Sequence, residues 1–347
     1  MTIQRKVVLP WGMQLHQLKR REFVTLLGST AIAWPLAAYA QPDRWMRMRR
    51  VGVLMNTAAD KTDAQVRLAA FLQGLQIAGW EVGRDVHVRT RWSRGDTTRL
   101  HAAAMELMAL PLDAAVAGVG ATTKALQQAS ASVPIVFAEG IDPVGAGCVE
   151  SLVRPGGNTT GFTALDYGLA GRWLELLKQL APPVTHAAVL REPGTPGIGQ
   201  WAVIQAAAQA LGIGLRPITL TDADEIERAV SAFAREPDGG LVVTASAASL
   251  VHRDLIVGLA ARHRLPAAYA YRSFPGRGGL ISYGPDIAGL YRRAAAYVDR
   301  ILRGERPGDL PVVPPARYEL VINLKTAREL GLDVPPALLK RADEAID

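Results

Sequence analysis

Residues 113–138 read DAAVAGVGATTKALQQASASVPIVFA, and residues 240–270 read GLVVTASAASLVHRDLIVGLAARHRLPAAYA. Each stretch opens with a short apolar run and turns through small and polar residues into a helical segment. Each then returns in a strand begun by proline, Pro134 in the first and Pro266 in the second. Short apolar runs bounded by turn signals are strands buried on both faces, which is the signature of a parallel sheet covered by helices. A strand, a helix and a second parallel strand form a right-handed βαβ unit. The same order on both sides of a Gly-, Pro- and Thr-rich break at 142–163 predicts an α/β protein. Two doubly wound parallel-sheet lobes, joined by crossovers, are expected.

The rhythm extends outward from these stretches. Strands are expected at 50–55, 86–92, 113–119 and 134–138 of the first round. Its helices are expected at 62–78, with Val66, Ala69, Ala70, Leu72 and Leu75 as the inward stripe, and at 97–109 and 121–131. The second round predicts helices at 168–180, 198–211, 222–235 and 249–263, alternating with strands at 186–190, 215–220, 240–244 and 266–270. Residues 280–310 read as a strand and a helix, and 316–347 as the strand YELVINL and two short helical runs divided by Pro335-Pro336. Neither segment makes a lobe alone, so both are expected to cross back and complete one. Lobe one is then 49–162 plus about 284–316, and lobe two 163–283 plus about 317–347.

The amino terminus reads differently. Lys19, Arg20 and Arg21 precede a mostly apolar run from Phe23 to Leu36 and the small-x-small triplet Ala38-Tyr39-Ala40. That is the build of an export signal, twin-arginine-like, with cleavage expected after Ala40 and a periplasmic destination. The run is too short to span a bilayer, which takes about 20 residues. Residues 1–40 carry +4 of the formal charge of +7, which leaves +3 over the remaining 307 residues. No basic run follows residue 50, and a nucleic-acid partner is not expected. Cys148 is the single cysteine, so no intramolecular disulfide forms, and none stands after Ala40 to carry a lipid anchor.

Catalytic grammar is missing. The sequence has no G-x-S-x-G elbow, no Walker A loop and no H-E-x-x-H, and no two of its six histidines stand four apart. Gly118-Val-Gly-Ala-Thr-Thr123 lacks the third glycine of a dinucleotide turn. No metal or cofactor is expected. Polar loops at the carboxyl ends of the strands are present instead, where open α/β sheets bind ligands. Candidate ligand-binding residues are Asn56, Gly120, Thr122, Thr123, Glu139, Asp142 and Thr163 from the first round. The second round adds Glu192, Thr244, Ser246, Tyr271 and Tyr283. Free N–H groups and the Thr122 and Thr123 hydroxyls suit a carboxylate at a helix start. Glu139 and Asp142 suit a cationic amino group, and Tyr271 and Tyr283 suit stacking on an apolar side chain. Three functions stay open on these residues: a solute receptor, an exported enzyme using carboxylates such as Glu139 and Asp142 as acid or base, and a ligand sensor for a signalling receptor.

Five stretches carry a family likeness: RVGVLMN (50–56), AFLQGLQIAGWEVGRDVHVRTRWSRGD (70–96), VPIVFAEGIDPVGAGCVESLVRPGGNTTGFT (133–163), GGLISYGPD (278–286) and YELVINLKTARELGLDVPPALLKRAD (318–343). With them the chain resembles the ABC-transporter substrate-binding protein family, of the type I periplasmic binding kind that includes tryptophan- and tyrosine-type binders. The resemblance implies two α/β lobes joined by three crossovers, one small ligand enclosed between them, and a membrane permease and an ATPase as partners. One stretch departs from the family pattern: Arg191-Glu192-Pro193-Gly194-Thr195 stands where ligand-binding members commonly have Asn or Ser.

Overall fold

The computed structural model describes residues 48–347, apart from the side chains of Thr195 and Pro196. The expected leader and the expected cleavage after Ala40 fall outside the described residues.

The first sheet has five parallel strands in the order β2-β1-β3-β4-β5. They are β1 (Arg49–Met55), β2 (Val86–Trp92), β3 (Ala114–Val119), β4 (Ile135–Gly140) and β5 (Thr159–Thr163). Alternation of side chains divides its core into two layers. Val51, Val53 and Met55 face α1 (Thr62–Ile77), whereas Leu54 joins Leu100, Leu107 and Leu126 of α2 (Thr97–Met108) and α3 (Gly120–Ala129). Gly52 has no side chain because Leu107 and Leu112 occupy the space, with Leu112 Cδ1 2.7 Å from where a Cβ would stand. Asp96 starts α2 by accepting the Arg99 N–H at 2.8 Å.

The second sheet has seven strands in the order β12-β11-β10-β9-β8-β6-β7. These are β6 (His186–Arg191), β7 (Gly214–Thr219), β8 (Gly239–Val243), β9 (Ala267–Tyr269), β10 (Ile281–Pro285), β11 (Tyr318–Asn323) and β12 (Glu344–Ile346). All pairs are parallel except β10 with β11. Helices α4 (Leu169–Leu180), α5 (Thr195–Leu211) and α6 (Ala223–Phe233) cover it, with α7 (Ala247–Val251), α8 (Arg253–Arg262), α10 (Leu324–Leu330) and α11 (Pro336–Leu339). Trp173 of α4 is fully buried in this core, and its indole N–H donates to the Tyr283 carbonyl at 2.7 Å.

The chain passes between the sheets three times. It leaves β5 for α4, and it leaves β10 for α9 (Ile287–Leu302), which packs on α1 of the first sheet. After α9, Leu310–Val313 lies along β5, where Thr160 Oγ1 donates to Leu310 O at 2.6 Å and Thr163 N to Val313 O at 3.0 Å. It then returns to β11. Two lobes of α/β build result, as the sequence predicts.

Three local readings need correction. The expected stripe on α1 is rotated: Ala64, Arg67, Ala70, Phe71, Gly74 and Leu75 are buried, and Val66 is half exposed. Gly74 explains the rotation, since it lets α1 approach α9 so closely that a Cβ there would meet Arg292 O at 2.6 Å and the Ala295 Cβ at 2.7 Å. The helix expected over 249–263 is broken at His252 into α7 and α8. The Gly-rich break hides β5, whose ladder to β4 shifts register between Phe137 and Gly140.

Candidate functional site

A cavity of about 180 Å³ lies between the lobes at the carboxyl ends of β1, β3 and β4. Lobe one lines it with Met55, Asn56, Gly118, Val119, Glu139 and Tyr291, and with Lys61, Asp63 and Arg67 from the start of α1. Lobe two supplies Ala247, Leu250, Val251, Arg253 and Asp254 from α7 and α8. The body of the cavity is thus aliphatic and aromatic, and its charges sit at defined places.

Glu139 and Arg67 form a buried ion pair in the wall, 3% and 8% exposed. Arg67 Nε donates to Glu139 Oε1 at 2.9 Å, and Nη2 faces Oε2 at a looser 3.5 Å. Burial alone would lower the guanidinium, but the charge and hydrogen bond of Glu139 together with the neighbouring Tyr291 and Asp63 outweigh it and hold Arg67 above its ordinary value. Tyr291 closes this corner. Its hydroxyl stands 2.9 Å from where a Gly118 Cβ would be, so a side chain at 118 would have to displace it. Burial, with the adjacent Glu139 charge, raises the Tyr291 phenol well above the usual range.

The lobes meet across the mouth. Arg253 of lobe two pairs with Asp63 of lobe one and, at 3.2 Å, with Asp254 of its own helix. Gly95, at a left-handed φ of 78°, brings the β2–α2 loop against Val251, whose Cγ2 would lie 3.2 Å from a Cβ.

Of the residues singled out from the sequence, Asn56 and Glu139 line this cavity. Asn56 Oδ1 accepts from the Ser93 hydroxyl at 3.0 Å, which fixes the β1 loop against the β2 loop. Tyr271 is buried in lobe two and lines a neighbouring hollow that shares Asp63 and Arg67 with the first. Burial comes first and the Glu139 charge second in raising its phenol.

The other candidates sit outside the lining. Gly120 opens α3 with open space beside it. The Thr122 and Thr123 hydroxyls donate backward to Val119 O, at 2.6 and 3.3 Å, so these donors are committed to the helix. Asp142 holds a left-handed φ of 47°, accepts the Gly145 N–H at 2.9 Å and the Tyr167 hydroxyl at 3.1 Å, and so ties the β4 loop to the crossover. Thr163 is held by Val313. Glu192 faces the Ala248 and Ala247 N–H groups at the start of α7; burial raises its carboxyl and these dipoles draw it partly back. Arg191 beside it lies over the Trp201 ring, 5.6 Å from the centroid. Thr244 Oγ1 donates to Leu190 O at 2.9 Å, and Ser246 caps α7 through the Ser249 N–H at 3.0 Å. Tyr283 packs by Tyr318 at 6.0 Å between centroids.

Arg67, Asp63, Arg253 and Tyr291 escaped the sequence reading. One signal was available for Arg67, which stands at helical spacing with Ala64, Ala70, Phe71 and Gly74. Arg253 and Tyr291 carry no such mark, because each reaches the cavity only through packing between segments far apart in the chain.

A family model described as ABC transporter substrate binding protein matches residues 50–346. The chain belongs to that family. It is 23% identical over 263 residues to the tyrosine-binding protein of Clostridioides difficile, covering 76% of this chain and 75% of the relative. Among solved structures, a conserved domain protein from Vibrio cholerae superposes with a TM-score of 0.79 at 27% identity, over 86% of this chain and all of the other. The ABC domain in complex with L-Trp from Streptococcus pneumonia gives 0.80 at 24% identity, again over 86% of this chain and all of that one. Membership makes this chain a solute-binding component, of the type I two-lobed fold. No helix among the described residues is long and apolar enough to cross a membrane.

Proposed function

We propose that this protein is the exported receptor of an ABC importer, and that it closes its two lobes over a free amino acid with an aromatic side chain. The observation that carries the reading is the cavity itself. It is walled by both lobes, apolar along Met55, Val119, Leu250 and Val251, and charged at Arg67 and Glu139. Such a site suits a ligand with a large apolar body and a polar head. The tyrosine-binding relative and the L-Trp complex support the same class. Contacts from both lobes favour the closed arrangement, so binding and hinge closure are one event. The lobes run 49–162 with about 284–316, and 163–283 with about 317–347. Asn56 and Glu139 touch the ligand directly, and Tyr271 borders it. The Thr122, Thr123, Asp142, Thr163, Glu192, Thr244 and Ser246 loops shape the cleft by holding the backbone in place, with Gly120 and Tyr283 beside them. The leader sends the chain to the periplasm, where a permease and an ATPase take the ligand onward. The bound molecule leaves unaltered.

A thermal-shift screen of the mature chain against the twenty amino acids tests this. Tryptophan or tyrosine should raise the melting temperature, since ligand at 100 times its Kd adds about 2.7 kcal/mol of stability. Mass spectrometry should recover the ligand intact. No shift with any amino acid, or conversion of the ligand, would overturn the proposal.

A further inference from the structure

We propose that Arg67 and Glu139 act together as the reader of the ligand's charged head, Arg67 taking the α-carboxylate and Glu139 the α-ammonium. This rests on the amino-acid reading of the cavity and adds which two side chains enforce it.

The pair is expensive where it stands. Removing two charges from water costs several kcal/mol per ion, and apolar residues of similar size often serve stability as well or better. Packing therefore gives no reason for an arginine in the buried stripe of α1. The hydrogen bonding is also incomplete. A guanidinium carries five N–H donors, and only Nε, at 2.9 Å, makes a good bond to Glu139. Nη2 is at the 3.5 Å limit, and Nη1 donates to no described residue. Glu139 has Nη2 only at that limit and the Tyr291 hydroxyl as its other neighbour, and a carboxylate has acceptor sites beyond these. Each partner thus keeps hydrogen-bonding capacity at a wall of the cavity.

Charge selects the ligand class. The pair is neutral overall, so a head group carrying one positive and one negative end can join it without adding net charge to a buried site. A bare amine or a bare carboxylate would leave one charge uncompensated there. The remaining charged groups of the cavity are Lys61, Arg94, Asp63, Arg253 and Asp254. Lys61, Arg94 and Asp254 are exposed, where water screens them, and Asp63 and Arg253 are engaged with each other. An α-amino acid bears its two charges on one carbon and matches an adjacent Arg and Glu; an acid with the amine further along its chain does not.

Isothermal titration of the mature protein with L-tryptophan, indole-3-propionate and tryptamine tests the inference, with L-tyrosine and its two analogues in parallel. The wild type should bind the amino acid at least about 100-fold more tightly than either analogue, because a site with buried polar groups rejects ligands that leave them unpaired. Arg67→Met and Glu139→Gln each leave one buried charge alone and are prone to misfold, so Arg67→Met/Glu139→Leu is the principal variant. In that double variant the preference should fall below about tenfold while the two singly charged analogues still bind. A wild type that binds tryptophan or tyrosine yet discriminates less than tenfold overturns the inference and leaves the receptor reading intact. So does a folded double variant that keeps the full preference. If the wild type takes up no amino acid at all, the receptor reading itself fails.

Discussion

The Asp63–Arg253 contact joins the lobes directly, so its loss should weaken ligand binding without touching either lobe's core. Arg253 keeps 7% of its side chain exposed and Asp63 keeps 32%. Breaking a fully buried pair costs 3–5 kcal/mol, and an exposed one is worth at most about 1. With one partner a third open to water, the expected coupling is about 1.4 kcal/mol, or tenfold in Kd. Asp63 lines the cavity and Arg253 also holds Asp254, so single variants mix several effects. A double-mutant cycle removes that difficulty. Ligand affinity is measured by calorimetry for the wild type, Asp63→Asn, Arg253→Met and the double variant. The two single losses should overlap by about 1 kcal/mol or more, and the coupling should shrink as salt rises. Strict additivity, within about 0.3 kcal/mol, would refute the idea that this pair holds the lobes together.

Other consequences follow from the packing and the protonation of single residues. Trp173→Ala should cost about 3–5 kcal/mol in urea unfolding, because a fully buried ring is lost and the Tyr283 carbonyl is left without its donor. Gly74→Val should cost about 1–3 kcal/mol by forcing α1 from α9, and should loosen the cavity wall that α1 carries. Glu192 has a raised carboxyl, so the folded chain keeps its proton at a pH where the unfolded chain has lost it. Its contribution is therefore full below the ordinary carboxylate range and is lost as pH rises through the folded value. A denaturation series across that window should show stability falling with pH, and Glu192→Gln should flatten the slope.

The lobes were legible because buried parallel strands are almost wholly apolar. VGVLM at 51–55, AAVAGV at 114–119 and GGLVV at 239–243 leave little choice between strand and surface. β5 escaped notice because TTGFT is short, polar in places and embedded among glycines, and only pairing with β4 makes it a strand. The antiparallel joining of β10 and β11 was equally hidden, since the segments are separated by α9 and its return. At the cavity, the sequence marks Asn56 and Glu139 by their place at the carboxyl end of a strand, whereas the partners of the other loop side chains are invisible in it. A threonine after a strand reads the same whether its hydroxyl faces a ligand or, as at 122, 123 and 244, a carbonyl of its own fold. Arg67 shows the converse: a charge at a core position is visible in the sequence, but its partner 72 residues away is fixed only by the sheet.

The most direct measurement is a crystal structure of the protein grown with saturating L-tryptophan or L-tyrosine. The expected density lies between the lobes, with the ring against Val119, Leu250 and Val251 and the head group beside Arg67 and Glu139. A ligand found elsewhere on the molecule, or an empty cleft under conditions where calorimetry records binding, would contradict the central claim.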